Sequence, residues 1–104
     1  MLSIFKNAMR KSIKLYGKTI KEVICMEELA ELQQQVSKDI RGQLDRDHLI
    51  EEFGDVVICL EWLKIIHNIS DEEINQWIER KMIRQYQRDK EYRAKLKNNS
   101  YSTN

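Results

Sequence analysis

Five acids in two short stretches dominate the chemistry open to this chain: Glu27, Glu28 and Glu31 in one, Glu52 and Asp55 in the other. Glu28 and Glu31 are three residues apart, and Glu52 and Asp55 repeat that spacing. On a helix, residues three apart project from one face, and like charges held so close repel unless a cation compensates them. Carboxylates are hard oxygen donors. A pair of divalent ions suits them, magnesium above all, because it takes a few carboxylates and completes its octahedron with waters and phosphate oxygens. The ligand such a centre implies is a nucleotide polyphosphate, whose phosphorus–oxygen bonds a held cation polarises. Late in the chain Lys81, Arg84 and Arg88 form a basic stripe able to neutralise phosphates.

Apolar spacing predicts the elements that must position these groups. Ile4, Phe5, Ala8, Met9, Ile13 and Tyr16 recur at three- and four-residue steps, which predicts a first helix over 2–16 ended by Gly17. Thr19-Ile20-Lys21-Glu22 has the capping-box pattern and is expected to open a second helix that runs to about Arg41, with Gly42 as its stop. On that helix Cys25, Leu29, Leu32 and Val36 line one face. Ile20, Val23, Ile24 and Ala30 line a second, which Glu27 and Glu31 share, with Glu28 at its edge. After a turn at 42–46, Asp45 or Asp47 caps a third helix that reaches about His67. It is apolar nearly all round, and only a strip with Gly54, Glu61 and Lys64 is expected to face solvent. Glu52 and Asp55 share a face with Val56, Cys59, Trp62 and Leu63, so two acids point inward on the most apolar helix. Burying an ionised carboxylate without compensation costs several kcal/mol. Ser70-Asp71-Glu72-Glu73 is a second capping box, opening a fourth helix whose inner stripe begins Ile74, Trp77, Ile78 and turns basic at Lys81 and Arg84.

The chain has 104 residues, enough for one domain with a thin core. The expected organisation is a single helical domain over 1–97 and a disordered polar tail over 98–104. There is no proline, and only three glycines occur, which favours helices over a turn-rich β fold. Residues 1–21 hold six bases and no acid, residues 22–79 fifteen acids and four bases, and residues 80–104 eight bases and two acids. A groove built from all three stretches would hold metal and phosphate together. Cys25 and Cys59 lack CxxC spacing and read as small buried hydrophobes of a reducing compartment. No apolar run has membrane-spanning length and the start has no signal-peptide core, so no membrane partner and a cytoplasmic location are expected. His48 and His67 are nineteen residues apart near opposite ends of one helix and cannot share a metal; surface or capping roles are expected. A glycine-rich phosphate loop is absent, so side chains and metal must bind any phosphate.

Taken together, Glu27-Glu28-x-x-Glu31 and Glu52-x-x-Asp55 resemble the motif of the MazG-like all-α nucleotide pyrophosphohydrolases. The surrounding text is similar too: Glu-Glu-Leu-Ala-Glu-Leu at 27–32, Leu-Ile-Glu-Glu-Phe-Gly-Asp-Val-Val-Ile at 49–58, and Lys81-Met82-Ile83-Arg84. The likeness covers about residues 15–90. It implies an all-α, four-helix MazG-like bundle completed by forming a homodimer or homotetramer. It also implies a magnesium-dependent hydrolase that cleaves a nucleoside triphosphate between its α and β phosphates, giving nucleoside monophosphate and pyrophosphate. Phosphoribosyl-ATP is a same-class substrate. By motif position, Glu28, Glu31, Glu52 and Asp55 would be the metal ligands, and Glu27 an outer-shell acid or the group orienting the attacking water. Lys81 and Arg84, with Arg88 beside them, would bind phosphate. Nucleic acid is not an expected partner on this reading. The alternative is a non-catalytic helical module that binds an acidic partner or nucleic acid through the basic ends; the acidic middle argues against simple coating of DNA.

Overall fold

The computed structural model describes the backbone of residues 1–102 and the side chains through Ser100. The chain divides into two units, Met1–Ile69 and Ser70–Asn104. In the first, a 3-10 turn at Leu2–Phe5 leads into α1 (Lys6–Tyr16), followed by α2 (Lys18–Ile40) and α3 (Arg46–His67). The second holds α4 (Asp71–Ser102). Among the described residues there are four α-helices and no strand, and no helix is long and apolar enough to cross a membrane.

Each break follows from local chemistry. Gly17 adopts φ 92°, ψ 156°, a conformation essentially closed to other residues, and its N–H donates to the Ile13 carbonyl at 2.7 Å to close α1. The turn at Gly17 already starts α2 at Lys18, so Thr19 lies inside the helix and the capping box expected there does not form. Glu22, its would-be partner, instead faces Lys18 at 3.8 Å and His67 at 3.1 Å. Gly17→Ala is expected to cost about 1–3 kcal/mol, since a Cβ meets nothing within 4 Å and the whole penalty is conformational; chemical denaturation measures it.

At its far end α2 closes with a Schellman motif: Gln43 N–H donates to Lys38 O at 2.8 Å and Gly42 N–H to Asp39 O at 2.9 Å. Gly42 supplies the positive φ of 75°. Asp45 caps α3 by accepting from His48 N–H at 3.2 Å, and left-handed Asn68 (φ 52°) ends it. The second capping box does form. Ser70 N–H donates to Glu73 Oε2 at 2.8 Å and Glu73 N–H to Ser70 Oγ at 3.1 Å; the Ser70 N–H, and then the Ser70 hydroxyl 3.1 Å from the same Oε2, pull the Glu73 carboxyl below its ordinary value. α4 continues as helix to Ser102, through most of the stretch expected as a polar tail; residues 103 and 104 lie outside those described.

Partners in α2 and α3 run in opposite order, with Glu22 facing His67, Cys25 facing Cys59 and Gln35 facing His48, so the two helices form an antiparallel hairpin. α1 packs across both. The core is thin: among the described residues, Met9, Cys25, Val56 and Cys59 are the buried apolar ones. Both cysteines are free, and the Cys25 thiol points to the Cys59 carbonyl at 3.5 Å. Burial, and then the neighbouring Cys25, push the Cys59 thiol up to about 12, so it stays protonated and packs as a small hydrophobe.

Two faces differ from the expected ones. On α2 the inward line is Lys21, Cys25, Glu28, Leu32 and Gln35, while Ile20, Val23, Leu29 and Val36 are exposed. Lys21 is buried with its ammonium 3.9 Å from the Trp62 ring centre and 5.0 Å from that of Tyr16. On α3 the strip expected to face solvent holds at Gly54, which is exposed, and fails at Glu61 and Lys64. Glu61 is buried, with Lys64 Nζ at 2.9 Å and Lys6 Nζ of α1 at 4.0 Å. The face that one chain leaves uncovered is Ile50, Phe53, Val57 and Leu60 around Gly54. A helix apolar on all sides does not encode which side α1 covers; in the fold α1 lies on the Glu61 side, with Lys6 Nζ 4.0 Å from it. In the second unit Ile74 is half-buried, but Trp77 and Ile78, expected on an inner stripe, are exposed.

Candidate metal centre

The α2–α3 hairpin brings the two acidic stretches together. Glu28 lies on the inward line of α2, one turn past Cys25, and Glu31 follows one turn later. Glu52 sits on the inward line of α3, one turn before Val56. Carboxylate oxygens of Glu28, Glu31 and Glu52 all lie within 4.8 Å of one another. Glu52 is only 4% exposed, Glu28 and Asp55 are half-buried, and Glu31 is exposed at the mouth. Asp55 is not one of the three converging groups, but its charge acts on both Glu28 and Glu52. Glu27 is exposed and outside the cluster. Lys81, Arg84 and Arg88 lie on α4, exposed, in the unit that does not contain the acids.

The electrostatics are those of a site short of positive charge. Loss of water, then the charges of Glu31 and Asp55, push the Glu28 carboxyl up to about 7. Glu52 is raised by the same loss of water and by Glu31, with His48 offsetting part of the rise. One oxygen on each, Glu28 Oε2 and Glu52 Oε2, is buried without a hydrogen-bond partner. A buried carboxylate oxygen left unpaired is costly, and a cation satisfies it. Octahedral ligands at about 2.1 Å from magnesium stand about 3.0–4.2 Å apart, so oxygens already within 4.8 Å need only small side-chain shifts to share one ion. The donor set therefore fits a hard divalent cation: all oxygen, all carboxylate, two of the oxygens orphaned.

Beside the acids is a hollow of about 190 Å³ lined by Glu31, Gln34, Gln35, Lys38, His48 and Glu52. Four of these six were not read as site residues from the sequence. Lys38 follows Glu31 by two helical turns and is half-buried, with no ion pair among the described residues. Gln35 is 3% exposed. His48 precedes Glu52 by four residues, and its Nε2 is 3.4 Å from Glu52 Oε1. That i,i+4 spacing is visible in the sequence and puts His48 on the Glu52 face of α3. The depth of Gln35 had no such signal, because it depends on where α3 crosses α2.

Comparison of the chain with protein-family models, with curated proteins and with solved structures finds no match.

Proposed function

We propose that the protein is a magnesium-dependent nucleoside triphosphate pyrophosphohydrolase of the MazG-like kind. Substrates would be NTPs or dNTPs, and products nucleoside monophosphate and pyrophosphate. One observation carries this reading: Glu28, Glu31 and Glu52 converge within 4.8 Å while two of their buried oxygens lack partners. The acidic motif adds the choice of reaction class. Glu28, Glu31 and Glu52 would hold the metal, with Asp55 completing the set and Glu27 in a supporting role. Magnesium bound there would supply Lewis-acid polarisation of phosphate oxygens and a more acidic water. The chain's own contribution is placement. The hairpin fixes the carboxylates, and the adjoining hollow gives the phosphate chain a place beside them. In the hydrolysis, water oxygen ends on one product and the α–β bridging oxygen leaves with the other.

Lys38 is the cation that lines this hollow. It is suited to neutralising phosphate, a part assigned from the motif to Lys81 and Arg84. Lys38→Ala is expected to raise KM about 10–150-fold, the effect of losing one charge-assisted hydrogen bond of roughly 1.5–3 kcal/mol; steady-state kinetics measures it.

The uncovered apolar face of α3, Ile50, Phe53, Val57 and Leu60, supports a homodimer or homotetramer, since a helix apolar on all sides is buried by something. The direct test is a panel of NTPs and dNTPs, with phosphoribosyl-ATP included, incubated with magnesium and resolved for products. Monophosphate and pyrophosphate from at least one substrate are expected. Their absence across the panel, together with salt-sensitive binding to DNA or RNA, would favour the interaction-module reading instead.

A further inference from the structure

We infer that His48 and Gln35 are positioning residues: the pair holds the Glu52 carboxylate with one oxygen engaged and the other left for the cation. The inference rests on the metal reading above and adds to it the residues that orient a ligand. Its basis is a chain of contacts across the hairpin. Gln35 Nε2 of α2 lies 3.4 Å from His48 Nδ1 of α3, and His48 Nε2 lies 3.4 Å from Glu52 Oε1.

The chemistry of these atoms sets the direction of each bond. An amide nitrogen only donates, so His48 Nδ1 accepts from Gln35. A neutral imidazole that accepts at Nδ1 carries its proton on Nε2, the atom facing Glu52. A carboxylate only accepts, so Nε2 is a protonated ring atom where it faces Glu52. Gln35 is 3% exposed and Glu52 4% exposed, so neither has bulk water as a substitute partner. Glu52 Oε1 thereby faces the Nε2–H of His48 at 3.4 Å. Glu52 Oε2, buried and unpartnered, is the oxygen left over. Partners of this kind, one bond removed from a metal, fix ligand orientation, and losing one typically costs about 10–100-fold in metal affinity.

The test uses the full chain and Mn²⁺ alone, with free manganese followed by electron paramagnetic resonance. His48→Leu removes the donor at a half-exposed side chain and is expected to weaken Mn²⁺ binding about 10–100-fold. His48→Gln restores a neutral donor near the Nε2 position and is expected to stay within about threefold of the parent, an order of magnitude better than the leucine variant. Gln35→Met, which keeps the length and removes the donor, should fall between them and covers the case in which His48→Leu does not fold. Unchanged binding in His48→Leu, or in Gln35→Met where the first fails to fold, while Glu52→Gln abolishes it, overturns this inference and leaves the metal centre standing. Equal loss in His48→Leu and His48→Gln overturns the donor role. A parent protein that binds Mn²⁺ no better than Glu52→Gln overturns the inference and the metal reading together.

Discussion

Glu52→Gln is expected to act in opposite directions on activity and on metal-free stability. Hydrolysis should fall by more than the about 10–100-fold that losing an outer-shell partner costs, because the variant removes a ligand itself. In EDTA the same variant should melt higher than the parent. Glu52 is nearly fully buried, its carboxyl is raised by lost hydration and by Glu31, and its Oε2 has no partner. Replacing the carboxylate by an uncharged amide relieves that repulsion while leaving an oxygen to accept from His48. Magnesium should then raise the melting temperature of the parent and leave the variant unmoved, since only a group that binds the ion in the folded state gains by mass action. Thermal melts with and without magnesium read both effects from one preparation. A variant that melts lower in EDTA yet keeps the magnesium shift would make Glu52 a structural partner of His48 and remove it from the metal set.

The helices and the meeting of Glu28 and Glu31 with Glu52 were legible because they depend on local order; Asp55, read as the fourth member, stays outside the converging three. Period, caps and glycine stops set α1 to α4, and the three-residue spacing of Glu28 with Glu31 survives any rotation of the helix. What was not legible depends on which side of an element its neighbour occupies. On α2, apolar residues occur on several sides, so the sequence offered two candidate faces. The structure keeps Cys25 and Leu32 of the first and turns the rest of the line to Lys21, Glu28 and Gln35, which places Glu28 at the centre and Glu27 outside. The burial of Lys21 against Trp62 and of Glu61 against Lys64 and Lys6 has the same origin. A charged residue on an inward line looks like a solvated one until its partner, distant in sequence, is in place. The hollow beside the acids was invisible for that reason too: Gln35 and His48 meet only because α3 folds back along α2.

The metal-free protein should lose stability as pH rises from about 5 to about 8, the reverse of the usual behaviour of surface carboxylates. Glu28 is the main cause. Its carboxyl titrates near 7 in the fold against an ordinary 4.5, so below 4.5 it is protonated in folded and unfolded chains alike and the fold loses nothing. Between those values the unfolded chain has released the proton and the folded chain still holds it, so each step up in pH favours unfolding. Above about 7 the group is ionised in both states and the decline ends. Glu52, raised by the same burial, adds in the same direction. Glu73 works the other way, but its capped carboxyl sits below its ordinary value and loses its contribution only in acid, under the window in question. Saturating magnesium should invert the trend, because the cation binds the ionised carboxylates and its hold strengthens as they deprotonate. Urea unfolding at about pH 5, 6, 7 and 8, in EDTA and in excess magnesium, should therefore give two curves that diverge with rising pH. Glu28→Gln should flatten the EDTA curve over this range and abolish the divergence. A metal-free stability that is level or rising across the window would mean that the hairpin already compensates these carboxylates, and the need for a cation would disappear with it.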